Sequence, residues 1–312
     1  MAIREISFKS YNKRDSIKGW VYIPAAEPRG IIQVVHGFGE HSRRYLRLIM
    51  RMLDAGFIVC ADDHVGHGKT ALENDTWGDY GFEGYRTTIE DEKTLHDMMA
   101  ADYPELPYFL FGHSWGSMIA RCFAASYGSC LTGLVLCGTA SMRDGMEELR
   151  DKLKAEVDAG HAAETKPEYL GEMLGSFTSR YENVLSPNDW IATDPQVVKD
   201  HAADPFNNFT PPNVQALYDF AQMWVEVCKT ETAAGAPAEL PIYIIAGDQD
   251  PVGGYGEGVY HTANQYWNTG HNRIKTRLYS GYRHEIHNEP DIRDEVEAGI
   301  VEFIMCQLYR DV

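Results

Sequence analysis

Apolar positions alternate between two rhythms over the first 140 residues. Residues 3–8 and 17–23 carry short strand-like patterns joined by a polar turn at 12–15, which predicts an opening antiparallel pair. Ile31–Val35 is nearly all apolar and runs into His36-Gly37, the signature of a strand buried on both faces of a parallel sheet. Leu46, Ile49, Met50 and Leu53 then recur at helical spacing, and Gly56 supplies a stop. The alternation continues with a strand at 57–61, a helix at 89–101 closed by Pro104 and Pro107, a strand at 108–111, a helix at 117–127 and a strand at 131–137. It resumes with strands at 242–246 and 274–279 and a helix at 294–309, where Val296, Ile300, Ile304 and Leu308 share one face. Strands alternating with helices predict an α/β fold with a mainly parallel sheet.

Between residues 141 and 237 the strand rhythm stops. Met146, Leu149, Leu153 and Val157 form one helical stripe. Tyr169, Met173, Leu174 and Phe177 form a second, and Val214, Leu217, Tyr218, Ala221, Trp224 and Val225 a third. The pattern predicts a core made of residues 1–140 and 238–312, interrupted by a helical cap at 141–237. Most stripe residues are expected to pack against one another, and some to face a substrate as a lid.

Charge narrows the partners. Twenty-eight basic against 46 acidic residues leave −18, a surface that repels phosphate backbones and lacks the basic patch that attracts anionic lipid. No apolar run approaches the ~18 residues of a membrane span, and the N-terminus has no apolar signal region, so a cytoplasmic protein is expected. The six cysteines form no CxxC and are expected to be buried free thiols in a reducing compartment. His36, His41, His64 and His67 invite a metal reading, but there is no HExxH and no zinc-finger spacing, so no metal and no cofactor are expected. Residues 253–258 are glycine-rich without forming GxGxxG, and Asp62-Asp63 reads as a loop-fixing pair.

One segment carries sharper chemistry. Gly112-His113-Ser114-Trp115-Gly116 lies between an apolar strand and a helix, the context of a nucleophile elbow. There the chain turns too tightly for side chains beside the serine, and the hydroxyl is pushed clear of the sheet. A serine hydroxyl is a weak nucleophile and needs a base oriented by a third group. On this type of fold the acid and then the histidine follow in the chain. Asp248 and Asp250 fill the acid slot after the strand at 242–246, and His284 and His287 fill the base slot after the strand at 274–279. The residues alone leave both choices open.

The sequence resembles the monoacylglycerol lipase and lysophospholipase group of the α/β-hydrolases. The resemblance rests on His36-Gly37-Phe38-Gly39-Glu40-His41-Ser42-Arg43-Arg44-Tyr45, on Asp63-His64-Val65-Gly66-His67-Gly68-Lys69-Thr70, on the GHSWG elbow, on Gly247–Asp250 as GxxD and on His284–Glu289 as HExxNE. It implies an α/β-hydrolase fold with an eight-stranded, mostly parallel sheet, and a triad of Ser114, Asp250 and His284. It implies an oxyanion hole from the backbone N–H groups of Phe38 and Trp115, and acyl transfer from a small-molecule ester. Gly37, His113, Tyr218 and Trp224 are candidate substrate contacts. Two other readings stand beside this one. An amide or peptide hydrolase would use a carboxylate among Glu168, Glu172, Glu182, Asp189, Asp194 and Asp204 to bind a substrate amine. A non-catalytic receptor would keep the pocket without turnover.

Overall fold

The structure is a computed structural model that describes residues 1–207 and 211–309. Residues 208–210, within the expected cap, and 310–312, at the end of the expected core, lie outside the described residues. Eight strands form one sheet: β1 (Ala2–Lys9), β2 (Ser16–Ile23), β3 (Ile31–Val35), β4 (Ile58–Asp63), β5 (Tyr108–His113), β6 (Gly133–Cys137), β7 (Ile242–Gly247) and β8 (Ile274–Tyr279). Their spatial order is β1-β2-β4-β3-β5-β6-β7-β8. β2 pairs antiparallel with β1 and β4, and every other pairing is parallel. The chain is an α/β-hydrolase fold.

The apolar runs explain which strands are central. Every residue of β3 through β7 is buried, whereas β1 at the edge is mostly exposed. Pleating sends Ile32 and Val34 to one face, against Leu48, Ile49 and Met52 of α1 (Leu46–Asp54). Ile31 goes to the other, against Leu95 and Met99. The elements between these strands are α2 (Gly68–Asn74), α3 (Arg86–Asp102) and α4 (Trp115–Tyr127). Between β6 and β7 the chain forms α5 (Met146–Asp158), α6 (Pro167–Leu174), α7 (Pro195–Ala203), α8 (Val214–Val227) and α9 (Thr230–Gly235) and contributes no strand to the sheet. After β7 come α10 (Glu257–Asn268) and α11 (Arg293–Leu308), where Val296, Ile300 and Ile304 are buried and Leu308 is half-buried.

Several expectations are corrected. The helix predicted from 117 starts at Trp115, because the elbow leaves no gap between Ser114 and the helix. The strand predicted from 131 begins at Gly133, after a 3₁₀ turn at Gly128–Cys130. α7 went unpredicted because it buries only Val198, leaving little apolar stripe; it starts instead at Pro195, with the Asp194 side chain accepting from the N–H of Gln196. The cysteines are all free, but only Cys60, Cys122 and Cys137 are buried; Cys130 and Cys228 are half-buried and Cys306 is exposed.

Parallel pairing sets the site. Val35 lies opposite Gly112, and His113 opposite Cys137, so β3, β5 and β6 end side by side. Their carboxyl ends deliver His36-Gly37, Ser114 and Gly138 to one edge of the sheet, where α/β proteins place their ligands.

Candidate active site

Ser114 occupies a conformation that few side chains tolerate, φ 54° and ψ −122°. Its N–H donates to the carbonyl of Cys137 at 2.9 Å, which fixes the turn to β6. Gly116 passes so close to β3 that a Cβ there would collide with the carbonyls of Val35 and His36. Strain of ~1–3 kcal/mol at such a residue is retained only where the surroundings over-determine it. The side chain of Ser114 is left half-buried at the wall of a cavity.

His284 reaches the same cavity from the segment after β8. Its Nδ1 is 2.9 Å from Asp250 Oδ2, and the other Asp250 oxygen accepts from the N–H of Val252 at 2.9 Å. Nε2, on the far side of the ring, has no hydrogen-bond partner among the described residues. Burial alone would lower the His284 pKa, but Asp250 and, more weakly, Glu285 and Glu40 hold it above its ordinary value.

The rival residues are engaged elsewhere. Asp248 Oδ1 accepts from the N–H of Gly281 at 2.7 Å, bracing the turn after β8. His287 stacks on Tyr45 at 5.0 Å and lies against His113 at 4.6 Å, fully buried, and burial pushes its pKa down to about 3.

The loop after β3 presents three consecutive N–H groups. That of Gly37 donates to Glu40 Oε1 at 2.6 Å, and that of Gly39 to His67 Nε2 at 3.1 Å. The N–H of Phe38 between them has no partner among the described residues. The N–H of Trp115, first in α4, is likewise free of intrahelical bonding, as at any helix start. Of the histidines that invited a metal reading, His36 and His64 stack at 3.8 Å, and burial keeps His64 and His67 neutral, with pKa values down to about 3 and about 4. His41 instead pairs with Asp204 at 2.9 Å.

The cavity measures about 1010 Å³ with its mouth. Met118, Leu170, Leu174, Phe177, Phe220, Trp224 and Val252 give it an apolar wall, while Glu40, Asn188, His201, Asn207 and Glu285 supply polar groups. His113 and Trp224 line it as well; the Trp224 indole N–H donates to the carbonyl of Ser141 at 2.7 Å. Gly37 stands behind Ser114, where a Cβ would lie 3.0 Å from the serine Cβ, but is not part of the wall. Tyr218 is half-buried on α8 and does not line the cavity, because Phe220 and Trp224 take the face turned toward it. The sequence reading also missed a charge network. Arg44 binds Glu40 Oε2 at 3.2 Å and Glu285 Oε2 at 2.5 Å, while the Tyr45 hydroxyl donates to Glu40 Oε1 at 2.5 Å. Burial alone would raise the Glu285 carboxyl, but Arg44 overrides it and brings it down to about 2. None of the six carboxylates proposed as amine ligands lines the cavity; the two that do, Glu40 and Glu285, are both held by Arg44.

The sequence matches the family described as serine aminopeptidase, S33, over residues 26–291. The chain belongs to this family of α/β-hydrolases. It is a serine-hydrolase-type enzyme, similar to a monoacylglycerol lipase of Mycolicibacterium smegmatis at 28% identity over 90% of this chain and 91% of the relative. A thermostable carboxyl esterase from Bacillus coagulans, solved in complex with glycerol, is 55% identical with 99% of both chains covered and a TM-score of 0.97. A lipase solved in an open form is 40% identical, with 99% of this chain and 100% of the other covered and a TM-score of 0.93. No described helix of this α/β-hydrolase is long and apolar enough to cross a membrane.

Proposed function

We propose that the chain is a serine carboxylic-ester hydrolase that acts through an acyl-enzyme on monoacylglycerol-like esters, with lysophospholipid-like esters as the related class. The observation that carries the reading is the Asp250–His284 contact of 2.9 Å beside Ser114 in a cavity with apolar and polar walls. His284 Nε2 takes the proton of Ser114 as Oγ attacks the acyl carbonyl. Asp250 holds the Nδ1–H tautomer and stabilises the imidazolium that forms. The N–H groups of Phe38 and Trp115 receive the tetrahedral oxyanion, each such donor being worth ~2.7–4 kcal/mol. The alcohol leaves with the proton from His284, and water releases the acyl group by the same route.

In this reading the helices α5–α9 form a cap. The apolar wall takes the acyl chain, and the Glu40–Arg44–Glu285 side takes the hydroxylated alcohol. The carboxyl esterase held with glycerol and the lipase-named relatives support that assignment. Free thiols fit a cytoplasmic setting, which belongs to the same proposal. An aminopeptidase reading draws on the family description, but a substrate ammonium would find no unpaired carboxylate in the wall.

A panel of monoacylglycerols of increasing chain length, lysophospholipids and amino-acid anilides tests the proposal. Turnover of monoacylglycerols should dominate and fall at least ~10⁴-fold in Ser114→Ala. Faster hydrolysis of anilides would move the assignment to amide chemistry. Failure of a fluorophosphonate to label Ser114 would leave only the receptor reading.

A further inference from the structure

A second cluster lies apart from the cavity, below the carboxyl ends of β3 and β4. Asp62 and Glu92 show no exposed surface and His64 only 1%. One ligand-type atom from each lies within 4.8 Å of the other two. His64 Nδ1 is 3.2 Å from Glu92 Oε1 and 3.8 Å from Asp62 Oδ1. Glu92 comes from α3, far along the chain from the other two, so no sequence spacing reveals the group.

The bonding around the cluster is asymmetric. His64 Nε2 lies 3.2 Å from the carbonyl of His36. A carbonyl only accepts, so Nε2 carries the hydrogen and Nδ1 turns a lone pair toward both carboxylates. Glu92 Oε2 accepts from the Gln33 amide, whose own oxygen accepts from the Tyr108 hydroxyl. Among the described residues no N–H or hydroxyl group donates to Glu92 Oε1 or to either Asp62 oxygen. The outward atoms of His64 and Glu92 are therefore held by neighbours, while the inward His64 nitrogen, Glu92 Oε1 and the Asp62 carboxylate converge on one another, the two carboxylates close enough to share a hydrogen bond. No lysine or arginine among the described residues pairs with either carboxylate. Buried carboxylates in that state are neutralised either by protons or by a cation held between them. A histidine whose other nitrogen donates to a backbone carbonyl is the usual arrangement of a metal ligand.

We propose that Asp62, His64 and Glu92 form a buried divalent-cation site of the zinc type. Two carboxylates balance a 2+ charge, and neutral His64 completes the set, with both Asp62 oxygens available for a fourth position. Zinc bonds of about 2.0–2.2 Å to a tetrahedral set place ligand atoms ~3.3–3.6 Å apart, close to the observed spacings. The bound cation ties α3 to His36, and so to the start of the loop that carries Phe38. Its role is structural, since none of the three residues lines the cavity. The other three-residue group, His113, Cys137 and His287, is a poorer ligand set: the Tyr45 hydroxyl already engages His113 Nδ1 at 2.7 Å.

The test is to unfold the protein with a chelator, refold it with or without ZnCl₂, remove free metal, and measure zinc per chain and Tm. One zinc per chain should be retained, with a rise of roughly 5 °C in Tm. Both effects should be lost in Glu92→Gln and in Asp62→Asn; either variant suffices if the other does not fold. Refolding the unaltered chain with Co²⁺ adds a reading that needs no variant: visible bands without a near-ultraviolet thiolate charge-transfer band. Absence of retained zinc with an unchanged Tm would mean that protons alone neutralise the carboxylates, and would overturn the proposal. So would a thiolate band, or zinc retention unaffected by both substitutions.

Discussion

His284 is held in balance between two opposing influences. Burial favours its neutral form, while Asp250, Glu285 and Glu40 favour the imidazolium and prevail. A general base must be neutral to accept a proton, so kcat/KM should rise as pH climbs through the raised His284 pKa. Glu285→Gln removes one of the charges that raises it. The acid limb of the kcat/KM profile should therefore move to lower pH in that variant, and an unmoved limb would show that Glu285 does not act on the imidazole. Asp250→Asn should lower kcat by ~10⁴-fold, as expected when a histidine loses the partner that fixes its tautomer. The residue types and their order in the chain point to this chemistry but leave Asp248 and Asp250 open; the resemblance implies Asp250, and in the structure Asp250 faces an imidazole whereas Asp248 faces a backbone N–H. The Arg44–Glu285 pair is not legible in the sequence because its members lie 241 positions apart, and an ion pair at that separation leaves no periodic trace.

Between strand and helix, the elbow depends on close backbone approach. Gly116→Ala puts a methyl group against the carbonyls that end β3. The backbone must shift, at a cost of ~1–3 kcal/mol, and Ser114 shifts with it. Urea unfolding should show a lower midpoint with an unchanged slope, together with near-complete loss of esterase activity; retention of both would mean that the elbow has slack. The chain between α6 and α7 is tied to the histidine loop in a similar way. The N–H of Glu285 donates to the carbonyl of Ile191 at 2.7 Å, and the Arg283 guanidinium to the carbonyls of Asp189 and Ala192. The strongly apolar strands and the helices with broad stripes were legible in the sequence. These backbone ties were not, because carbonyl and N–H groups are common to every residue, and α7 hides behind its single buried side chain.

Across the whole molecule, the alternating pattern gives the fold class but not the strand order. β3 lies between β4 and β5 only because two crossovers pack helices on opposite faces. The same packing buries acids with few partners. Asp219 of α8 accepts one bond, from the Gln215 amide at 2.9 Å, and burial pushes its pKa up to about 7. A folded pKa above the unfolded one gives stability that is full below about pH 4 and is lost as pH rises through about 7. Asp219→Asn should therefore leave Tm nearly unchanged below about pH 4 and raise stability by a few kcal/mol at most at pH 8, on the order set by a shift of this size. Equal effects at both pH values would show that the carboxyl carries no such penalty. The order of the functional groups along the chain has a further consequence. Ser114 sits on β5's end and Asp250 after β7, whereas His284 follows β8, the outermost strand on that side. A nascent polypeptide thus leaves the ribosome with the proposed nucleophile 170 residues ahead of the proposed base, and the proposed triad cannot assemble until residue 284 has been made.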